Sequence, residues 1–352
     1  MCLKHFRMQA GLTQKDLARK AGMRQATISA IENGLSHPRK ATVQILAKAL
    51  EVELETVRQA IAADANPVDE AAVDQLGHDW PFLEGLGADL RKGLARDLVA
   101  SWTHTSTAIE GNTISAGDTL FVITEGLTVS GKSLREHQEI HGHAQAIGLL
   151  AGWTRAGRPV RTTELHELHR AVQTGETVDA LAPVGRWKVE PNGTTLITTG
   201  GGTAWHDYAA PMDVPALIDD WIHLLSMANR SAIRAPMDGA APGLLLDAYT
   251  DVHLGFVTIH PYADGNGRLA RLLANVPVLR SGLPPLLVDV AARRDYSGLL
   301  GDYSLARGRP LPGEPLVLES SERDALRDFF AEQWRATLDL VDTYRQRQSD
   351  RR

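Results

Sequence analysis

Residues 260–271 read His-Pro-Tyr-Ala-Asp-Gly-Asn-Gly-Arg-Leu-Ala-Arg, and the organisation of the chain is best read outward from them. The apolar run at 244–259 precedes them and is expected to form a core helix that Pro261 ends, since proline lacks an N–H and disfavours helix in the residue before it. Asp264-Gly265-Asn266-Gly267 forms a tight turn rich in backbone N–H groups. A second helix is expected to start near Arg268, with Leu269, Leu272, Leu273 and Val276 on one face. A glycine-bearing turn that opens a helix is a nest for an anion. Arg268 and Arg271 are expected in the first turn, three residues apart, where cations oppose the helix dipole unless an anion offsets them. Asp264 supplies an oxygen for Mg²⁺, with Mn²⁺ as the alternative; Mg²⁺ takes few carboxylates and fills its other positions with phosphate oxygens. His260 belongs to the residue type whose ordinary pKa suits proton acceptance near neutral pH. Base, metal carboxylate, amide nest and two guanidiniums describe transfer of a phosphorus centre to a hydroxyl. Each residue alone also fits an ordinary structural role. All of them within twelve positions do not.

The rest of the 352-residue chain reads as globular, with 43% apolar and 23% charged residues. Helical periodicity recurs at 94–109, 133–150, 162–172, 214–227 and 320–346. Asn192-Gly193 lies between β-prone residues within 189–197, a hairpin signal, and Pro191 confines any strand there to an edge. The expected fold class is all-α with one small hairpin. No apolar run approaches the ~18 residues of a spanning helix, and residues 1–6 lack a signal-peptide core. Cys2 is the single cysteine, which excludes an internal disulfide and a cysteine zinc site. Cytoplasmic location and no membrane association are the expectation. Residues 1–60 hold ten Lys/Arg and five Asp/Glu, whereas the remainder carries a net charge of −11. A basic head on an acidic body points to a nucleic-acid module. The polar, acidic stretch at 61–78 is expected to link the two.

Within the head, Thr13 is placed to cap a helix carrying Leu17, Ala18 and Ala21, and Gly22 breaks it. A second helix runs from Gln25 to about Asn33, with Asn33-Gly34 as its stop. A third starts near Lys40 and is expected to bury Val43, Ile45, Leu46 and Leu50. Two short helices joined through Gly22-Met23-Arg24 suit a helix-turn-helix, with Gln25, Ala26, Thr27 and Ser29 toward the major groove. Lys15, Arg19, Lys20, Arg24, Arg39 and Lys40 would meet the phosphate backbone of double-stranded DNA. The segment LTQKDLARKAG…ATISAIENGLSHP resembles the XRE, or lambda repressor-like, helix-turn-helix, through Gln14, Leu17-Ala18, Ile28, Ile31-Glu32 and Gly34. That resemblance covers residues 5–55 and implies DNA contacts from Gln14, Arg24, Gln25, Thr27 and Ser29.

Residues 260–271 also resemble the signature of the Fic (filamentation induced by cAMP) family, HxFx(D/E)GNGRxxR, with Tyr262 where phenylalanine is usual. The resemblance extends over about residues 80–310, and the expected domain is 79–350. It implies that His260 deprotonates a target hydroxyl and Asp264 holds Mg²⁺. It implies that Gly265, Asn266 and Gly267 cradle the α- and β-phosphates of ATP, and that Arg268 and Arg271 hold the outer phosphates. AMP would pass to a Ser, Thr or Tyr of a target protein, the chain itself included. Pro183-Val-Gly-Arg-Trp-Lys188 resembles the lead into the family's flap, expected at about 186–200. Arg293-Arg-Asp-Tyr296 resembles the stretch whose tyrosine lies near adenine. Pro277 is expected to kink or end the motif helix.

Ser106 and Glu110 are four residues apart, hence on one helical face, and Gly111-Asn112 reads as a helix stop. Glu110 then stands at a helix C-terminus, where the dipole disfavours a carboxylate and a cation is wanted. The pair resembles the family's inhibitory motif, (S/T)xxxE(G/N), and implies an inhibitory helix at about 95–111 in which Glu110 pairs with Arg271. Two alternatives stay open: removal of AMP from a modified protein with Glu110 positioning water, and a nucleotide-sensing transcriptional regulator without turnover. A homodimer is expected.

Overall fold

The computed structural model of the protein describes residues 3–32, 38, 40–64, 68–173, 181, 183–234 and 241–351. The head consists of α1 (Leu3–Gln9), α2 (Gln14–Lys20), α3 (Gln25–Glu32), α4 (Lys40–Leu50) and α5 (Leu54–Asp64). Thr13 caps α2 in a reciprocal box, its hydroxyl accepting from the Asp16 N–H while the Asp16 carboxylate accepts from Thr13 N–H. Leu3, Leu17, Ile28, Ile31, Leu46 and Val57 close the head's core. On α4, Val43, Leu46 and Leu50 are buried but Ile45 is 45% exposed. Residues 43, 46 and 50 share one helical face, and 45 stands well off it. The expected stop at Asn33-Gly34, together with Arg39 and the side chains of Ala26 and Lys40, falls outside the described residues.

The body carries α6 (Val68–Gly77), α7 (Ala88–Ile109), α8 (Ala116–Glu125), α9 (Leu134–Arg155) and α10 (Thr162–Val172). The hairpin β1 (Gly193–Ile197) and β2 (Thr203–Asp207) follows. Then come α11 (Val214–Arg234), α12 (Ala241–Ile259), α13 (Asn266–Leu273), α14 (Asn275–Arg280), α15 (Arg293–Arg307) and α16 (Ser321–Ser349). The two strands are antiparallel, with Thr195 opposite Trp205. The architecture is helical throughout with this one small sheet. The core gathers around α12, whose Leu245, Tyr249, Val252, Phe256 and Ile259 are buried with Leu269, Leu272 and Leu273 of α13. Burial of each such side chain contributes about 1.5–3 kcal/mol.

Three expectations change. The stretch 61–78 is not an open linker: α5 runs to Asp64, and α6 packs on α9 with Ala72, Val73 and Leu76 buried. Its apolar residues fall at i, i+1 and i+4, enough for a buried face despite the acidic composition. The hairpin lies at 193–207 instead of 186–200, and Asn192-Gly193 opens β1 while the reversal is made by residues 198–202. Asn192 is engaged elsewhere: its side chain accepts from Lys188 Nζ and donates to the Tyr262 carbonyl. The motif helix ends at Leu273, and Ala274 alone joins it to α14; Pro277 is the third residue of α14, where its missing N–H has no intrahelical partner to lose.

Head and body meet at α8. Leu127, just past α8, is buried in the head's core, and Arg58 of α5 forms an ion pair with Glu125.

Candidate active site

The site is built where α12 ends and α13 begins. His260 follows the last turn of α12 with φ 51°, a left-handed conformation costly for a residue with a Cβ. Gly265, also left-handed at φ 77°, is the N-cap of α13. Between them the Asn266 side chain closes the loop: its Oδ1 accepts from Tyr262 N–H and its Nδ2 donates to the Tyr262 carbonyl, both at 2.9 Å. Asn266 therefore shapes the turn, and the first N–H groups of α13 have no intrahelical partner.

Tyr262 stacks on His169 with ring centroids 3.8 Å apart, and its hydroxyl lies 3.1 Å from His166 Nδ1. His169 accepts from Gly185 N–H at Nδ1, so its Nε2–H donates to the Asp264 carbonyl. Burial pushes His169 down to about 4. The extra hydroxyl of the motif tyrosine thus has a partner.

Arg268 is buried, donating to the Val172 carbonyl at 3.1 Å and the Gln173 side chain at 3.4 Å, with Asp264 Oδ2 at 3.7 Å. Arg271 is buried beside it. Its Nε donates to Ser106 Oγ (3.1 Å), and its Nη2 donates to the Ser106 carbonyl (2.8 Å) and to Glu110 Oε1 (2.7 Å). Burial works against the charge on Arg271, but the facing Glu110 holds its pKa above the ordinary value. Arg271 lies in the last turn of α13, not the first, because the helix begins at Asn266 and is only eight residues long. The dipole there favours the cation, so Arg268 alone carries the electrostatic conflict read from the sequence.

Glu110 is the C-cap of α7. Its carboxylate crosses to α13, where a Cβ on Gly267 would land on it and stand 3.2 Å from Arg271 Nη1. Only glycine leaves room at residue 267 for an anion so close to the helix start.

The remaining members fall at different distances from this centre. Asp264 keeps a largely exposed side chain. Partial desolvation by the surrounding loop raises the pKa of its carboxyl, but hydrogen bonds from Gln173 and Gly265 N–H, with Arg268 nearby, bring it below the usual range. A single ionised carboxylate beside an amide nest suits a divalent ion that arrives with phosphate oxygens, so the donor set fits Mg²⁺ or Mn²⁺ carried by a nucleotide. Tyr296 of α15 is buried, its hydroxyl 2.8 Å from His253 Nε2 and its ring 5.9 Å from the Arg271 guanidinium. It props Arg271 from behind.

Burial pushes His260 down to about 3, and the neighbouring Lys188 adds to the effect. The imidazole is therefore neutral at pH 7, and its Nδ1 has no hydrogen-bond partner among the described residues. Two further residues reach it that no sequence pattern singled out for chemistry. Tyr208 stacks on the His260 ring at 3.8 Å and 8°. Lys188 is buried and pushed down to about 7 by burial. Both flank the hairpin, and their relation to residue 260 exists only in three dimensions.

The hairpin lies along α15. A Cβ on Gly301 would collide with the Ile197 carbonyl, and Thr199 Oγ1 donates to Asp302 Oδ2 at 2.5 Å.

In the head, Arg24 and Gln25 are exposed at the start of α3, while Thr27 and Ser29 are half-buried. Gln14 Nε2 donates to Glu32 Oε2 at 2.9 Å, joining the buried pair of Arg7 and Glu32. Arg19 pairs with Asp16 and Lys20 with Glu51 on the surface. Among the described residues, no helix is long and apolar enough to cross a membrane.

Residues 3–57 match the family model described as Helix-turn-helix, and residues 159–278 match that of the Fic/DOC family. The chain is 31% identical over 219 residues to Protein adenylyltransferase fic-1 of Caenorhabditis briggsae, covering 62% of this chain and 39% of that protein. It is 27% identical over 259 residues to Protein adenylyltransferase Fic of Nematostella vectensis, covering 72% and 55%. The chain thus spans well under two thirds of these relatives. Among solved structures, a Fic domain containing signaling protein from Bacteroides thetaiotaomicron matches with a TM-score of 0.63 at 22% identity, over 78% of this chain and 97% of that one. Fic-1 from C. elegans matches with a TM-score of 0.55 at 20% identity, over 99% of both chains. Two stretches of the chain are thus similar to known families, residues 3–57 to a helix-turn-helix and residues 159–278 to the Fic/DOC family.

Proposed function

We propose that the protein is an adenylyltransferase that moves AMP from ATP to a Ser, Thr or Tyr hydroxyl of a target protein and is held inactive by Glu110. The observation that carries this reading is the Glu110 carboxylate resting on Arg271 at 2.7 Å, over Gly267. A carboxylate in that position stands in for the outer phosphate of a nucleotide: an anion over the first turn of α13 that is held by a buried guanidinium.

In the active state the phosphates occupy the turn at Gly265–Gly267. Arg271 and Arg268 bind the outer ones, with Ser106 and Tyr296 keeping Arg271 in place. Asp264 would hold the Mg²⁺ or Mn²⁺, which when bound neutralises phosphate charge. The neutral His260 removes the proton of the target hydroxyl as the oxygen attacks the α-phosphorus. The O–P bond to AMP forms, the α–β bridge breaks, and pyrophosphate leaves with the bridging electron pair. The hairpin is a two-stranded sheet rooted beside His260 and would seat an extended target segment.

We assign the catalytic body to residues from 68 onward and the head to double-stranded DNA, contacted through Gln14, Arg24, Gln25, Thr27 and Ser29. A homodimer and a cytoplasmic setting fit this assignment.

The test uses ATP labelled separately at the α- and γ-phosphate, with parent, Glu110→Gly and His260→Ala proteins, Mg²⁺ and target-containing lysate. The reading requires label from the α-phosphate alone, strongest in Glu110→Gly and absent in His260→Ala. Transfer from the γ-phosphate would make it a kinase. Absence of transfer from Glu110→Gly would refute the proposed activity.

A further inference from the structure

His260 has a left-handed backbone (φ 51°) and a ring that would serve as base. A strained residue holds its geometry only if its surroundings over-determine it. Lys188 fastens both flanks of this one. Its Nζ donates to the Ile259 carbonyl at 3.4 Å, and its backbone N–H donates to the Pro261 carbonyl at 2.9 Å. The same Nζ donates to Asn192 Oδ1 at 2.5 Å, and Asn192 Nδ2 donates to the Tyr262 carbonyl at 3.0 Å. From the other end of the hairpin, Tyr208 N–H donates to the Asn192 carbonyl at 3.1 Å, and its ring lies flat on the imidazole. Lys188 Nζ stands 6.0 Å from the centre of that tyrosine ring. The two roots of the hairpin thus converge on residue 260, one gripping its backbone and the other its ring.

We propose that Lys188 and Tyr208 are positioning residues for His260, fixing the imidazole from the two roots of the hairpin. The proposal rests on reading His260 as the base of the transfer. Lys188 is an unusual choice for a merely structural clamp. It is 3% exposed and, among the described residues, has no carboxylate as a hydrogen-bond partner, so the cation is buried against carbonyl oxygens and an aromatic face. An apolar residue would fill that space at lower electrostatic cost. What only a long donor does here is reach across residue 260 to the carbonyl before it.

The test compares Lys188→Arg, Lys188→Met, Tyr208→Phe and Tyr208→Leu in the Glu110→Gly background. Steady-state rates are measured with ATP varied, and the His260 ring resonances are followed by NMR at pH 7. Lys188→Met and Tyr208→Leu are expected to lower kcat by about tenfold or more with little change in the KM for ATP. Lys188→Arg and Tyr208→Phe are expected to recover part of that loss. In Lys188→Met the His260 resonances should move from their ring-shifted positions although Tyr208 is intact. Unmoved resonances in Lys188→Met would overturn the proposal, as would a loss confined to KM. The spectra are independent of the reaction. If Glu110→Gly transferred no AMP, the reading of His260 as a base would fall, while the spectra would still decide whether Lys188 fixes the ring.

Discussion

The Glu110 carboxylate and the Arg271 guanidinium meet at 2.7 Å, with Arg271 buried and Glu110 partly open to solvent. The arginine is also fixed by two bonds to Ser106, one turn earlier on the helix that carries Glu110. The cation is therefore held in place by α7, and the carboxylate is the removable half of the pair. Glu110→Gly should raise AMP transfer, self-modification included, by about tenfold for each ~1.4 kcal/mol by which the carboxylate outcompetes phosphate. Equal rates in parent and variant would end the inhibitory reading. Ser106→Ala in the Glu110→Gly background should weaken ATP binding by roughly tenfold or more, the effect of one lost bond to a charged group of about 1.5–3 kcal/mol, measured as KM.

Gly267 defines how close an anion comes to α13. A Cβ there would fall on the Glu110 carboxylate and 3.2 Å from Arg271 Nη1. Gly267→Ala should break the inhibitory contact without activating the protein, since the methyl occupies the same space as the outer phosphates. Transfer in the double variant Glu110→Gly/Gly267→Ala should fall about a hundredfold below Glu110→Gly alone, in the range for a lost oxyanion contact. Activity equal to that of Glu110→Gly would place the phosphates elsewhere.

Burial holds several histidines neutral. His253 and His260 are pushed down to about 3, His169 to about 4, and His143 well below its ordinary value, with burial the leading cause each time. The unfolded chain binds these protons near pH 6.5 and the folded chain does not. Stability is therefore lost as pH falls below about 6.5 toward 4, by about 1.4 kcal/mol per pH unit for each histidine. Lys188 acts on the other side: its pKa of about 7 lies below the ordinary lysine value, so stability rises as pH increases from about 7 toward 10. Urea denaturation at stepped pH should show both slopes, and Lys188→Met should remove the alkaline one.

Tyr262 is where this motif departs from the usual phenylalanine. Its hydroxyl lies 3.1 Å from His166 Nδ1, and its ring stays stacked on His169 without it. Tyr262→Phe should cost about 1 kcal/mol, the net worth of one such bond, read from denaturant midpoints. A loss of several kcal/mol would mean that the hydroxyl holds more of the loop than this pair.

Leu127 belongs to the body by sequence and to the head by packing, 4% exposed in the cluster with Leu3, Ile28 and Val57. Leu127→Ala should destabilise the head by about 2–5 kcal/mol through transfer loss and the cavity left behind. Limited proteolysis should then cut near residues 58–68 faster, with the body fragment intact. Unchanged cleavage would show the head to be held by other contacts.

Much of the fold could be read along the chain, because each helix announces itself through its own apolar spacing. Residues 162–172 matched α10 fully, and Ser133 caps α9 in a reciprocal box with Glu136. Errors arose where local signals compete. Asn192-Gly193 carries the strongest turn propensity of its region, yet Asn192 is taken up by Lys188 and Tyr262, and the reversal moved to 198–202. Acidic composition at 61–78 suggested solvent, but three apolar positions on one face were enough to bury α6. The second alanine-rich stripe it needs lies on α9, about seventy residues away.

The sequence by itself determined which groups are present at the site: a histidine, a carboxylate, two glycines and two arginines within twelve residues, and a glutamate four after a serine far upstream. Their spacing fixes local geometry because turns and helix starts depend on neighbours along the chain. The tertiary structure decided what each group meets. It placed Glu110 on Arg271 across 161 residues, turned Arg271 into the last turn of a short helix, and brought Lys188 and Tyr208 against His260. These contacts join segments whose separation in sequence carries no periodicity, so only the packing of the helices around α12 brings them together.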